Sequence, residues 1–291
     1  MLGVVLTLGV IGIVVVAVES GSTRSPRVAT PARKPRVGGA SIPPAGIQAP
    51  SRRGRVGHRA VSLSFSPRVT RELDQLGALG EPVRCGGHHG HDVALTFDDG
   101  PGPYSTWALR ILRRAHASAT FFLVGRLIVD WRHVPSEEAS LAALGDHTWT
   151  HTLLTGLPTA EIRHELAAAK QAIGAAAHVP VRLFRPPYGA YDARVLALAR
   201  SLGMVTVLWS IDTRDSEGAP WNEIIANVEH NVRPGSIILM HENRGQTIEA
   251  LKFGILPYLK RRGLRAVTVP ELLTVDPPSK RQLAAGLAGC S

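Results

Sequence analysis

The stretch Val93-Ala94-Leu95-Thr96-Phe97-Asp98-Asp99-Gly100-Pro101 runs an apolar segment into two adjacent carboxylates and then into a turn. Val93-Ala94-Leu95 reads as a buried strand that Gly100-Pro101-Gly102-Pro103 must stop. A carboxylate at a buried strand end is costly unless something pairs with it. Successive side chains on a strand face opposite ways, so Asp98 and Asp99 are expected to serve different partners. One of them suits a cation and the other a proton.

Similar apolar runs recur along the chain, and strands are predicted over 93–97, 119–124, 182–184, 205–209, 236–240 and 264–267. Helical patterns alternate with them over 105–115, 159–177, 192–202, 221–232 and 246–262. Repeated strand–helix alternation predicts an α/β fold on a parallel sheet, either open or closed into a barrel. In such folds the ends of the strands carry the chemistry, and four further polar clusters fall there. Gly145-Asp146-His147-Thr148-Trp149-Thr150-His151 places two histidines at i and i+4, one face of a helical turn, where both can hold one metal. With an aspartate they make a two-His, one-carboxylate set that leaves positions open for water and substrate. Phe184-Arg185-Pro186-Pro187-Tyr188-Gly189 has a backbone stiffened by two prolines and an arginine suited to a carboxylate. Trp209 to Asp215 follows a fourth strand, and Ile237-Ile238-Leu239-Met240-His241-Glu242 delivers a histidine at the end of a fifth. A single histidine there is commonly a satisfied structural group, but five clusters at successive strand ends point to one active site.

In this order and spacing the motifs resemble the NodB-type polysaccharide deacetylases, carbohydrate esterase family 4, over roughly residues 91–273. The resemblance implies a distorted (β/α) barrel with an open groove for a glycan chain. It implies that Asp99, His147 and His151 hold a divalent metal, usually Zn2+, with Co2+ or another divalent ion also able to serve. Asp98 matches the general base, Arg185 the residue orienting it, and the backbone N–H of Tyr188 the oxyanion donor. His241 matches the general acid, Asp215 the carboxylate tuning it, and Leu239 and Trp209 walls of the acetyl pocket. The family often has Trp directly after the tuning aspartate, where this chain has Ser216. The expected substrate is an N-acetylated glycan, peptidoglycan N-acetylglucosamine first, with chitin oligomers and acetylated xylan as alternatives. A non-catalytic wall-binding protein is the reading from another class, and complete retention of ligands, base and acid argues against it. The chain is expected to act as a monomer.

At 291 residues with 44% hydrophobic content the chain can bury a sizeable core. The net charge of +10 is uneven, since residues 21–90 hold 12 Lys and Arg against 3 Asp and Glu. The basicity therefore belongs to a segment before the catalytic region. A solvated linker or contact with an anionic polymer or lipid both account for it. Specific nucleic-acid recognition has no motif to support it. Residues 2–18 are almost wholly apolar and read as a membrane anchor or a signal peptide, which places the enzyme outside the cytoplasm in or near the wall. No Lys or Arg precedes that run and five follow it, which taken alone favours the opposite orientation. A basic leader upstream is the expectation that reconciles the two. The expected organisation is 1–20 as anchor or signal, 21–84 as a basic linker with a short helix near 69–79, and 85–291 as the catalytic domain. Cys85 and Cys290, the sole cysteines, are expected to staple the domain's ends, worth on the order of 4 kcal/mol in the chain-entropy model. His88, His89 and His91 are read as a surface loop, with auxiliary metal contact as the remote alternative.

Overall fold

The computed structural model describes residues 66–290; the apolar N-terminal run and most of the basic linker lie outside them. Helix α1 (Pro67–Leu79) precedes strand β1 (Asp92–Gly100). Then come α2 (Ser105–Ala115), β2 (Thr120–Leu123), α3 (Val134–Ala139), β3 (Ala143–Asp146) and α4 (Thr159–Ala177). They lead to β4 (Leu183–Phe184), α5 (Ala193–Ser201), β5 (Val205–Thr206), β6 (Ile211–Asp212) and α6 (Trp221–Asn231). The chain continues through β7 (Ile237–His241), α7 (Gly245–Ala250), α8 (Leu256–Arg261) and β8 (Arg265–Val267), then α9 (Val269–Val275) and α10 (Lys280–Ala285).

All pairings between these strands are parallel, in the order β5-β4-β3-β2-β1-β7-β6, with β8 joined to the start of β1. The sheet curls into an open (β/α) barrel. Residues 83–86 stitch its two flanks together. Val83 bridges Val207 after β5, while Cys85 bridges Ser236 at the start of β7.

Alternation along β1 sorts its side chains into two cores. Val93, Leu95 and Phe97 pack outward with the helices, whereas Ala94 points inward with Phe122, Leu183, Val207 and Ile237. Helices α1 and α9 plug that inner core, contributing Leu73, Leu76, Leu272 and Leu273. Thus α1, whose N-terminus is capped by the Ser66 hydroxyl, packs into the fold instead of standing apart in the linker. A disulfide joins Cys85 to Cys290 across 205 residues.

Three differences from the sequence expectations have local causes. The predicted helix over 246–262 is interrupted by a π-helical turn at Leu251–Ile255, where Gly254 lets Ile225 of α6 approach closely. The run 205–209 forms only a two-residue strand: the Val207 amide still donates to Phe184 of β4, but the Leu208 amide turns to the carbonyl of Val83 in the preceding segment. The His147–His151 segment is not a helical turn: Thr148 (φ 68°) and His151 (φ 64°) are left-handed. Asp146 accepts from the Thr148 amide, and Glu165 of α4 accepts from the amide and hydroxyl of Thr150. These side-chain acceptors replace the backbone ladder that a helix would have supplied.

Candidate active site

The ends of β1, β3, β4 and β7 bring the candidate residues together at the C-terminal edge of the sheet. Asp98 is in register with His241 on the neighbouring strand. Simple alternation would send Asp99 to the other face, but it does not. The β1–β2 register slips between Phe97 and Gly100, and Asp99 adopts φ 69°. This bulge turns its carboxylate back toward the histidines. Asp98 Oδ2 lies 3.7 Å and Asp99 Oδ1 3.6 Å from the same atom, His147 Nε2. The two carboxylates are divided by their partners, not by opposite faces.

Asp99, His147 and His151 offer ligand atoms that all lie within 4.8 Å of one another. His147 Nδ1 is 2.7 Å from the Arg185 carbonyl oxygen, which can only accept, so the ring proton sits on Nδ1 and the Nε2 lone pair faces the cluster. Burial holds the His147 pKa down against the pull of Asp98 and Asp99, so the ring stays neutral. Asp99 Oδ1 is buried and accepts no hydrogen bond, although His151 Nε2 approaches to 3.1 Å. Burial pushes the Asp99 pKa up, but His151, His147 and His241 outweigh it and hold the carboxyl ionised. A convergent lone pair, an unpartnered carboxylate oxygen and a second imidazole fit a divalent cation. His151 also meets the Tyr188 ring edge-on at 5.0 Å.

Arg185 is fully buried and fixes Asp98. Its Nη1 donates to Asp98 Oδ1 and to the Thr96 hydroxyl, both at 2.8 Å, while Nε and Nη2 donate to the carbonyls of Val207 and Leu208. The guanidinium lies over the Phe122 ring at 4.2 Å, with Trp209 at 5.6 Å on its own ring face. Asp98 Oδ1 is therefore occupied, and Oδ2 is the oxygen turned toward the ligands.

On the other flank, His241 Nδ1 bonds Asp215 Oδ1 at 2.7 Å, and the His241 amide donates to Asp215 Oδ2, also at 2.7 Å. The Thr247 hydroxyl adds a short bond to Oδ2. Burial opposes the imidazolium, but Asp215, assisted by Asp98 and Asp99, raises the His241 pKa to about 9. The same contacts lower the Asp215 pKa against its own burial. With Nδ1 engaged, Nε2–H of the imidazolium is the proton left to give. Ser216 is exposed beside this pair, and its amide donates to Asp215 Oδ1.

Tyr188 takes a left-handed conformation (φ 62°) after Pro186 and Pro187, and its side chain is 68% exposed. Trp209 packs against Gly189, where a Cβ would come within 2.8 Å of the indole. Leu239 is buried on β7, in register with Thr96. His88 and His89 turn away to Pro234 and Asp276, and the one cation-suited cluster among the described residues is the Asp99 group. A cleft of 880 Å³ between α2 and α8, edged by Arg114, Lys252 and Lys260, lies at the opposite end of the sheet and takes no part in this site.

Sequence reasoning missed Thr247, Asn243 and a buried acid pair, Glu138 and Glu242. Glu242 accepts from the Ser105 hydroxyl at 2.8 Å, and its carboxyl fills the space where a Gly100 side chain would stand. Burial, then mutual repulsion, raises the Glu138 pKa far above the ordinary value; burial raises that of Glu242 to about 8. Their signal in sequence is position alone: Glu242 and Asn243 directly follow the strand-end histidine.

Residues 86–207 match the family model described as polysaccharide deacetylase. The chain is 32% identical over 216 residues to a chitooligosaccharide deacetylase of Azorhizobium caulinodans, covering 67% of this chain and all of that protein. It is 35% identical over 188 residues to a peptidoglycan-N-acetylglucosamine deacetylase of Bacillus cereus, covering 62% of this chain and 87% of the relative. Among solved structures, the peptidoglycan N-acetylglucosamine deacetylase Bc1960 superposes with a TM-score of 0.63 at 31% identity, over 66% of this chain and 92% of that one. BA3943, a CE4 family pseudoenzyme from Bacillus anthracis, superposes at 0.62 and 31% identity over 66% of this chain and 68% of its own.

Proposed function

This chain belongs to the polysaccharide deacetylase family, and from that premise we propose that it hydrolyses N-acetyl groups of N-acetylglucosamine residues in peptidoglycan, outside the cytoplasm and with a divalent metal, preferably zinc. The observation that carries this reading is the in-register pair Asp98 and His241, each locked to its own partner on either side of the Asp99–His147–His151 cluster.

An amide has a weak electrophile and a poor leaving group, so its hydrolysis needs carbonyl polarisation, an activated water and a proton for nitrogen. A divalent cation held by Asp99, His147 and His151 supplies Lewis-acid polarisation and lowers the pKa of water. Asp98, with Oδ1 pinned by Arg185, takes the water proton on Oδ2. The water oxygen adds to the acetyl carbon, and we assign the developing oxyanion to the Tyr188 backbone N–H. When the C–N bond breaks, His241 passes its Nε2 proton to the departing amine, leaving acetate and a free glucosamine. Asp215 keeps that imidazole charged and oriented. Leu239 and Trp209 are assigned to the walls around the acetyl methyl.

The likeness to both chitooligosaccharide and peptidoglycan deacetylases supports the N-acetylglucosamine class. The apolar residues 2–18 and the Cys85–Cys290 bond support a wall-facing, oxidising location. The pseudoenzyme among the similar structures raises the non-catalytic reading, against which this chain retains candidates for ligands, base and acid together. An acetate-release assay on defined peptidoglycan and chitin oligomers, with chelation and metal re-addition, tests the proposal. Acetate release restored by metal is expected. No acetate from any N-acetylglucosamine polymer overturns the enzyme reading, and chelator-insensitive release overturns the metal.

A further inference from the structure

Asn243 stands two residues beyond β7. Its Nδ2 donates to Asp99 Oδ2 at 3.3 Å. A carboxylate oxygen only accepts, so the nitrogen is the end of the amide that must face Asp99. The amide oxygen is then left buried without a hydrogen-bond partner, a standing cost to the folded state. The residue before it is clamped: the Glu242 amide donates to the Asp98 carbonyl at 3.1 Å, and the Glu242 carboxyl is held by Ser105. Asn243 is thus delivered to Asp99 from a rigid neighbour, and it keeps that contact at the expense of its own acceptor. Such a trade marks a residue retained for a task other than stability.

We propose that Asn243 is a positioning residue for the metal ligand Asp99, fixing the outer carboxylate oxygen so that Oδ1 alone faces His147 and His151. Among the described residues Asn243 is the hydrogen-bond donor that reaches Oδ2. Without it the carboxylate is free to rotate, and Oδ1 is no longer held at the point where His147 and His151 converge. This rests on the metal-dependent reading, and it gives the loop after β7 a direct hold on the ligand set.

The test is metal affinity of the metal-stripped full-length chain, by chelator competition with Zn2+ and Co2+, for wild type and Asn243→Ala. The variant should bind 10- to 100-fold more weakly, the range for losing a partner of a metal ligand. Its metal-free melting temperature should be unchanged or higher, because the unmet acceptor is gone. Affinity within twofold of wild type overturns the proposal. A metal-free melting temperature that falls together with affinity also overturns it, making Asn243 a packing residue. Wild-type chain that binds metal yet releases no acetate would refute the enzymatic reading while leaving this comparison intact.

Discussion

Arg185 spends its guanidinium on four acceptors, of which only Asp98 is charged. Arg185→Met would leave Asp98 buried without its counter-ion, which typically costs about 3–5 kcal/mol. A lowered melting temperature together with lost turnover is expected from calorimetry and the acetate assay. At the other flank, His241→Gln should reduce kcat roughly 10²- to 10⁴-fold, the usual worth of a positioned acid, with metal affinity unchanged by competition titration. Because Asp215 raises the His241 pKa to about 9, the acid form persists through neutrality and is lost above that value. Asp215→Asn removes the main support, so the alkaline limb of the kcat profile should move toward lower pH. The stability linked to this charge has the same sign: it is complete below the unfolded pKa of about 6.5 and disappears as pH rises through about 9.

At the scale of elements, the end of β7 reaches three different neighbours through three consecutive residues: His241 to Asp215, Glu242 to Ser105, and Asn243 to Asp99. The acid pair behind it keeps a proton that the unfolded chain releases near pH 4.5. Stability should therefore fall as pH rises from about 4.5 toward about 8. Glu138→Gln cannot ionise, so its melting temperature relative to wild type should climb across that window. A difference independent of pH would count against the shared proton. The sequence made the strand–helix alternation and the residues of the site legible, because long apolar runs and strand-end polar clusters survive without coordinates. Strands β3 and β6 went unpredicted because Ala143-Leu144-Gly145-Asp146 and Ile211-Asp212 carry no unbroken apolar run, unlike the equally short β2 and β4. The His147–His151 segment misled for another reason. Its i, i+4 spacing imitates a helix, while Asp146 and Glu165, whose bonding is invisible in sequence, hold it as an irregular turn. The bulge at Asp99 was equally hidden, since alternation is silent about where a register slips.

For the whole molecule, the disulfide ties the segment that stitches the sheet's flanks to the C-terminal helical turn. A double Cys85→Ser, Cys290→Ser variant frees a loop of about 200 residues, which the chain-entropy model values at roughly 4–5 kcal/mol. For a fold of this size that is a fall of roughly 10–15 °C in melting temperature, measurable by calorimetry, with kcat of the folded fraction preserved. The site lies at the far end of the sheet from the plug of α1 and α9, so loss of the staple should cost durability and not chemistry.

The in-register pairing of Asp98 with His241 has a further consequence. The proton acceptor and the proton donor are carried by the backbones of two adjacent strands, about 4.8 Å apart, a spacing that no loop can alter. The backbone ladder acts as a ruler for the reaction. Grafting different strand-to-helix loops onto this barrel would then change which sugar polymer is gripped while leaving the acid- and base-bearing backbone positions side by side.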